Sequence, residues 1–336
     1  MSLRGLIDAA GRLVAKRAEI VPAIAEATGL TPAGVELALT KHLETDATDD
    51  ELAKLEADTP KASRVSVILS ANVFVGALRA IAVARAAAPS VVVRPSRRDP
   101  TFARMLVAEA NDTSIALVDE LDVASIGEGE IHVYGRDETI ADVRARANPR
   151  VLVRGHGSGM GVALVTDVSQ AKPLAEDVVV FDQRGCLSPR FAFVEGDDAH
   201  ALAFAEALHD ELEAFEASVP RGQVPGDERA AIGSYITTMT YASRALVGKS
   251  HGIGVAAHGA PLLLPPPYRH LHVAPVRNVA EAAALLEPLA KGIAIIGADD
   301  PSRGDSLAKA LGIRVRTAAI GRMQRPPLDG PVDLRS

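Results

Sequence analysis

From residue 64 to residue 147 the chain alternates short apolar runs with longer segments of helical apolar spacing, and few architectures accept that order. Residues 65–69, 91–93, 114–118 and 131–134 read as strands, and residues 73–87, 100–110 and 138–147 as helices. Strand, helix and strand in succession predict a parallel sheet covered by helices, a doubly wound arrangement that takes ligands at the carboxyl ends of its strands. Further strands are expected at 151–154, 162–165, 190–194, 252–257 and 271–276. Long helices are expected at 198–217 and 228–246, on either side of a Pro/Gly-rich break at 220–226. Residues 279–317 repeat the alternation, so a second α/β domain is expected.

The flanks are different. Residues 3–60 carry apolar residues three and four apart, the signature of helices that pack on the first domain. Thr31-Pro32 reads as an N-cap with proline in the first turn, and the acidic stretch 44–51 as a solvated connection whose Thr and Asp residues can cap the next helix. The prolines of the tail, 321–329, exclude regular structure there. The expected division is a helical segment at 1–60, a nucleotide-binding α/β domain at 61–160, a second α/β domain carrying the cysteine at 161–317, and a tail at 318–336.

Length and composition permit this division. The 336 residues suffice for two domains, and 48% hydrophobic with 24% charged residues is the balance of a folded soluble chain. A net charge of −7 without a sustained basic run provides no electrostatic basis for binding nucleic acid. One cysteine makes no internal disulfide, the N-terminus has charges where a secretory signal needs an apolar core, and no apolar run is long enough to span a bilayer. The expected location is the cytoplasm.

That single cysteine, Cys186, lies in Val178-Val-Val-Phe-Asp-Gln-Arg-Gly-Cys-Leu-Ser-Pro-Arg190. The apolar run 178–181 reads as a buried strand and 182–185 as a polar turn, so Cys186 is expected at a strand end. A lone cysteine is most often a small buried hydrophobe. This one lies outside the apolar run, beside Arg184 and Arg190, whose charges favour a thiolate. Asn72 falls where the first strand turns into its helix, as an N-cap or as an amide facing the crevice. Arg94, Arg97 and Arg98, with Pro95 and Ser96 between them, form the densest cationic group and fall at a strand end. Guanidinium binds phosphate bidentately, so these residues point to the 2′-phosphate of NADP, with NAD as the alternative. Gly135 and Asp137 occupy a strand-to-helix turn, and the acidic residue suits a helix N-terminus. Gly155-His156-Gly157-Ser158-Gly159-Met160-Gly161 reads as a flexible crossover in which His156 is a proton carrier or a turn residue. His209, His251, His258, His270 and His272 show no metal-ligand spacing, and no metal is expected.

The cysteine segment resembles the nucleophile loop of the acyl-CoA reductases of bacterial bioluminescence, the LuxC type, within the aldehyde dehydrogenase superfamily. Ser70-Ala-Asn-Val-Phe-Val-Gly-Ala-Leu-Arg-Ala80 and Val91-Val-Val-Arg-Pro-Ser-Arg-Arg-Asp-Pro100 resemble that superfamily's asparagine and Lys-Pro-Ser segments, in the same order, with Arg94 in place of the lysine. The resemblance implies an aldehyde-dehydrogenase-like fold of two α/β domains with the active site in the crevice between them. It implies NAD(P)H-dependent reduction of an acyl-CoA to an aldehyde through an acyl-Cys186, with the Asn72 amide on the oxyanion. The turn containing Gly135 and Asp137 would lie near the cofactor pyrophosphate, and the tail would return toward the active site. Where hydrolytic relatives carry a water-activating glutamate, this chain has Gly155-His156-Gly157, which disfavours oxidation to a free acid. Reduction of an acyl phosphate, oxidation of an aldehyde, and a non-catalytic binding or assembly role are the competing readings. A homo-oligomer is compatible with the sequence, although no separate oligomerisation flap is evident.

Overall fold

Valine and isoleucine fill the strands Val65–Ile68 and Val91–Arg94 because both are covered on both faces, as a strand inside a parallel sheet is. In the computed structural model, which describes residues 2–335, the chain forms two compact units. One covers the chain up to Ser158 together with Pro327–Leu334, and the other covers Gly159–Pro326 with Arg335.

The first unit is built on β1 (Val65–Ile68), β2 (Val91–Arg94), β3 (Ile115–Leu117), β4 (Glu130–Tyr134) and β5 (Leu152–His156). They form one parallel sheet in the order β3-β2-β1-β4-β5. The chain runs outward from β1 to β3, then crosses back to place β4 on the other side of β1. That reversal opens a switch-point crevice at the carboxyl ends of β1 and β4.

Ahead of the sheet come α1 (Leu3–Ala15), α2 (Arg17–Thr28), α3 (Pro32–Leu37) and α4 (Asp49–Asp58). The crossovers carry α5 (Gly76–Ala87), α6 (Thr101–Ala110) and α7 (Asp137–Arg146). Helix α1 buries Leu6, Ile7, Ala9 and Ala10 and lies against α5 and α6. Thr31 caps α3 ahead of Pro32, and Thr48 forms a capping box with Glu51 at the start of α4. On the α7 face, Ile140 and Val143 pack with Ile68, Ile131 and Val133. The stretch 44–51 is not wholly a solvated connection, because Glu44 is buried and pairs with the buried Arg79 of α5 at 2.9 Å. Arg79 also donates to the carbonyls of Pro327 and Gly330, which holds the irregular tail segment to this unit.

The second unit contains β6 (Met160–Val165), β7 (Pro189–Glu195), β8 (Arg244–Val247), β9 (Gly252–Val255), β10 (His270–Val276), β11 (Ile293–Ala298) and β12 (Arg316–Ala319). The order is β12-β11-β6-β7-β10-β9-β8, parallel except for β8, which pairs antiparallel to β9. Its helices are α8 (Ala171–Val179), α9 (Asp198–Ser218), α10 (Gly226–Ala242), α11 (Val279–Leu286) and α12 (Pro301–Leu311). Phe191, Phe193, Leu164, Val276 and Ile296 form the core of this sheet. Strand β8 occupies residues that the sequence pattern assigns to the end of a helix.

The apolar run 178–181 is not a strand. Val178 and Val179 end α8, and residues 180–183 continue as a 3-10 turn. A short continuous apolar run fits a buried helix end as well as a buried strand, and here the helix packed against α9 takes it. No helix among the described residues is long and apolar enough to cross a membrane.

Candidate active site

Cys186 is half-buried in the turn between that 3-10 segment and the start of β7, so it precedes a strand rather than following one. The approach to it is conformationally unusual. Phe181, Asp182 and Gln183 all have positive φ, at 57°, 49° and 59°. Left-handed backbone costs an L-residue about 1–2 kcal/mol, and the surroundings must hold all three residues there.

The clamp is built from residues distant in sequence. Buried Asp182 accepts from Arg269 Nη2 at 2.8 Å and Nε at 3.1 Å through one carboxylate oxygen, and from the Gly222 N–H at 3.0 Å through the other. Its backbone carbonyl accepts the Tyr268 N–H. Tyr268 and Arg269 themselves have φ of 68° and 71°, so two left-handed segments interlock through one charge pair. Arg269 Nη1 continues to Glu216 at 3.1 Å, and that carboxylate also takes Ser250 Oγ at 2.6 Å and the Arg221 N–H at 2.9 Å. Gln183 is buried and uses its whole amide. Its Nε2 donates to the carbonyls of Pro189 at 2.6 Å and His270 at 2.7 Å, and its Oε1 accepts the His270 N–H at 2.8 Å. The turn containing Cys186 thus hangs between two fixed points, the Gln183 amide and the first residues of β7. Charge-assisted bonds between buried partners are the strongest available for this purpose.

The two arginines flanking the thiol are themselves engaged. Arg184 Nε donates to the Phe181 carbonyl at 3.1 Å, and Arg190 donates to the carbonyl of Pro265. Burial lowers the Arg190 guanidinium to about 10, which leaves it charged at neutral pH. On the other side of the turn, the backbone of Leu187 to Pro189 runs directly against Gly161 of β6. A Cβ at Gly161 would lie 2.5 Å from the Leu187 carbonyl oxygen, so no larger residue fits. The adjoining helix α8 carries Asp177, fully buried, whose carboxylate accepts the N–H groups of Gly321 at 2.6 Å and Met323 at 3.1 Å. Burial pushes its carboxyl up to about 8 against those donors.

In the first unit the remaining sequence candidates border the sheet's carboxyl edge. Asn72 lies in a bend between β1 and α5 and is exposed. It does not cap α5, whose N-cap residue is Val75 with no side-chain cap bond, and among the described residues no hydrogen bond to the Asn72 amide is present. Arg94 ends β2, half-buried, and Arg97 and Arg98 follow on the surface with Pro95 and Ser96 between. Arg97 is committed to Glu120, at 2.7 and 2.9 Å, whereas Arg94 and Arg98 have no ion-pair partner among the described residues.

The turn after β4 is closed. Gly135 donates its N–H to the His156 carbonyl at 3.2 Å, and Asp137, first residue of α7, accepts the Ser158 N–H at 3.1 Å. His156 ends β5 with its ring stacked on Tyr134, centroids 4.4 Å apart. The glycines here serve close approach and not flexibility. A Cβ at Gly155 would meet Ile140 at 2.5 Å, and one at Gly157 would meet the Asp137 carboxylate at 2.2 Å.

Sequence reasoning did not find Asp182, Glu216 or Arg269, although a charged residue directly after an apolar run was a visible signal. It also did not find a cluster on α9, where His209 and Glu213, one turn apart, meet His251 from the turn before β9.

A family model described as acyl-CoA reductase (LuxC) matches residues 35–335. No curated protein matches the sequence. Among solved structures, the chain is similar to an NAD-dependent benzaldehyde dehydrogenase from Corynebacterium glutamicum, with TM-score 0.69, 16% identity and coverage of 96% of this chain and 82% of that one. A Mycobacterium tuberculosis aldehyde dehydrogenase complexed with NAD+ gives 0.67 and 14%, over 94% of this chain and 76% of that one. An NADP-dependent glyceraldehyde-3-phosphate dehydrogenase from Bacillus halodurans, complexed with NADP, gives 0.67 and 16%, over 95% and 78%. At these identities the similarity establishes the fold, the one that the sequence resemblance implies.

Proposed function

The chain belongs to the LuxC family of acyl-CoA reductases, and from that premise we propose that it reduces a CoA-activated acyl group to an aldehyde through Cys186, using NADPH in preference to NADH. The observation that carries the proposal is the Cys186 turn itself. The chain's sole cysteine is half-buried at the end of a strained segment held by a buried ion-pair network. A thiol kept only for packing needs no such support.

The chemistry assigned to the chain begins with the Cys186 thiolate. It attacks the acyl carbonyl carbon, a C–S bond forms, and the CoA thiolate leaves. The Asn72 amide donates to the oxygen that becomes negative in the tetrahedral state, a role supported by the sequence resemblance and by the lack of a hydrogen-bond partner for that amide among the described residues. When bound, the nicotinamide supplies the hydride that reduces the acyl carbon. The C–S bond to Cys186 then breaks, releasing aldehyde and restoring the thiolate. The balance is acyl-CoA, NAD(P)H and a proton to aldehyde, CoA and NAD(P)+. The segment Gly155-His156-Gly157 offers no carboxylate to activate water, which favours reduction of the acyl-cysteine over its hydrolysis.

The residues of the first unit fit a nicotinamide dinucleotide. In a parallel sheet of this order, the residue at the end of the second strand meets the adenosine ribose, and an arginine there accommodates a 2′-phosphate. Arg94 occupies that strand end, and among the described residues neither it nor Arg98 has a carboxylate partner. By the sequence resemblance, the turn after β4 that contains Gly135 and Asp137 would lie near the pyrophosphate.

Absorbance of NADPH and NADH against a panel of acyl-CoAs tests the reading, with acyl phosphates and aldehydes plus NAD(P)+ as parallel arms. Acyl-CoA-dependent oxidation with equal aldehyde formed is the expected result. Turnover with acyl phosphate alone, or aldehyde oxidation without acyl-CoA reduction, would replace it with the neighbouring activity, and no turnover in any arm would leave a binding or assembly protein.

A further inference from the structure

We infer that Met323 is a positioning residue for Cys186, filling a slot in the sheet beside the cysteine turn from a tail loop that Asp177 fixes. The inference rests on the reading of Cys186 as the reactive thiol, and adds to it a support from the far end of the chain.

The loop is 321–324, just after β12. Gly321 has φ of 85°, and a Cβ there would lie 2.8 Å from the Cβ of Pro173, so the loop lies directly against α8. From the same helix, the fully buried Asp177 carboxyl accepts three of the loop's N–H groups, those of Gly321 at 2.6 Å, Met323 at 3.1 Å and Gln324 at 3.4 Å. One carboxyl group receiving three backbone donors fixes the shape of the loop as well as its place. Helix α8 in turn runs on into the strained segment that leads to Cys186.

Met323 is fully buried, in a slot made by two glycines on adjacent strands, Gly161 of β6 and Gly297 of β11. A Cβ at Gly297 would fall 2.4 Å from Met323 Sδ, and one at Gly161 would fall 2.8 Å from Met323 Cε. The Gly161 position is shared with the cysteine turn. The same added Cβ would lie 2.5 Å from the Leu187 carbonyl oxygen and 3.0 Å from the Pro189 nitrogen, and the Gly161 N–H donates to the Ser188 carbonyl at 2.8 Å. The Met323 methyl and the backbone just after Cys186 therefore border one small space. A flexible thioether suits so irregular a slot. With it in place the turn is backed on the β6 side; without it the Leu187 backbone relaxes toward the vacated volume and takes the thiol with it.

Two variants reach this contact from opposite sides, so the test survives the failure of either to fold. Met323→Ala empties the slot. Gly297→Ala displaces Met323 without reaching the turn, because the three atoms nearest its added Cβ all belong to Met323. The first readout is the rate at which iodoacetamide alkylates Cys186 in the full-length protein, below the melting transition of each variant; the second is its acylation by acyl-CoA. Each substitution should slow alkylation by about tenfold, since a displacement of about 1 Å caused at a distance can cost a reacting group about 100-fold. Met323→Leu, similar in volume, should restore most of the parent rate. Gly297→Ala combined with Met323→Ala should be no slower than Met323→Ala alone, because the overlap is then gone. Alkylation at the parent rate in the folded single variants, or a Gly297→Ala effect that persists in full without the Met323 side chain, would overturn the inference and leave Met323 as core packing. Slowed alkylation in the variants, with no acylation by acyl-CoA in the parent, would instead overturn the reductase reading and leave the positioning role standing.

Discussion

Replacing Asp182 by Asn tests whether the charge pair beneath the cysteine turn holds its strained backbone. Asparagine tolerates the left-handed region, so the backbone preference is kept and only the charge and one acceptor are lost. Three left-handed residues represent about 3–6 kcal/mol of local strain, at about 1–2 kcal/mol each. Removing one partner of a buried ion pair costs about 3–5 kcal/mol. Because Arg269 keeps Glu216 at 3.1 Å, the low end applies, about 3 kcal/mol. For a unit of this size that corresponds to a melting temperature lower by about 6–12 °C. Arg269→Met strands two buried carboxylates and should cost at least as much. The double variant should be more stable than the sum of the two losses implies, since neither charge is then left alone. Urea midpoints of the four proteins measure the cycle, with Cys186 alkylation rates below the transition reporting the shape of the turn. A loss under 1 kcal/mol for Asp182→Asn, or strict additivity in the cycle, would refute the clamp.

Three further outcomes are expected. Asn72→Ala should slow acylation of Cys186 by about 100- to 1,000-fold while melting temperature and cofactor affinity hold, as expected of an oxyanion donor that caps no helix, and Asn72→Asp should be equally slow; stopped-flow release of CoA measures both. Joint replacement of Arg94 and Arg98 by alanine should weaken NADPH by about 1.5–3 kcal/mol per charged hydrogen bond and leave NADH almost unchanged, which fluorescence titration of the two cofactors checks. For Asp177, the folded pKa of about 8 lies above the unfolded value near 3.8, so its stabilising contribution is complete below pH 4 and disappears as pH rises toward 8. Asp177→Asn should therefore be more destabilised relative to the parent near pH 5 than near pH 9, and a deficit constant across melting curves at those pH values would contradict that sign.

Strands and crossover helices were legible in the sequence wherever burial on both faces imposed a continuous apolar run and turns bounded it, as in β1, β2 and β6. The run at 178–181 misled because composition does not separate a buried strand from a buried helix end, and Asp177, which would have exposed the helix, is buried on a tail segment 144 residues away. Strand β8 was hidden because it follows α10 without a turn signal and gains its identity only by pairing with β9. Cys186 stood out as the sole cysteine, and Arg94 by its place at a strand end. The supports did not. Asp182 and Arg269 are 87 residues apart, and no local pattern joins them. The His209–Glu213 spacing was readable, but its third member lies 42 residues beyond His209.

The central claim, a covalent acyl-Cys186 that is reduced, is tested most directly by intact-protein mass spectrometry after mixing with acyl-CoA in the absence of nicotinamide. The account predicts a mass gain of one acyl group, mapped to the peptide containing Cys186, absent in Cys186→Ala, and discharged as aldehyde when NADPH is added. An acyl group found elsewhere, no adduct at all, or discharge as the free acid would contradict it.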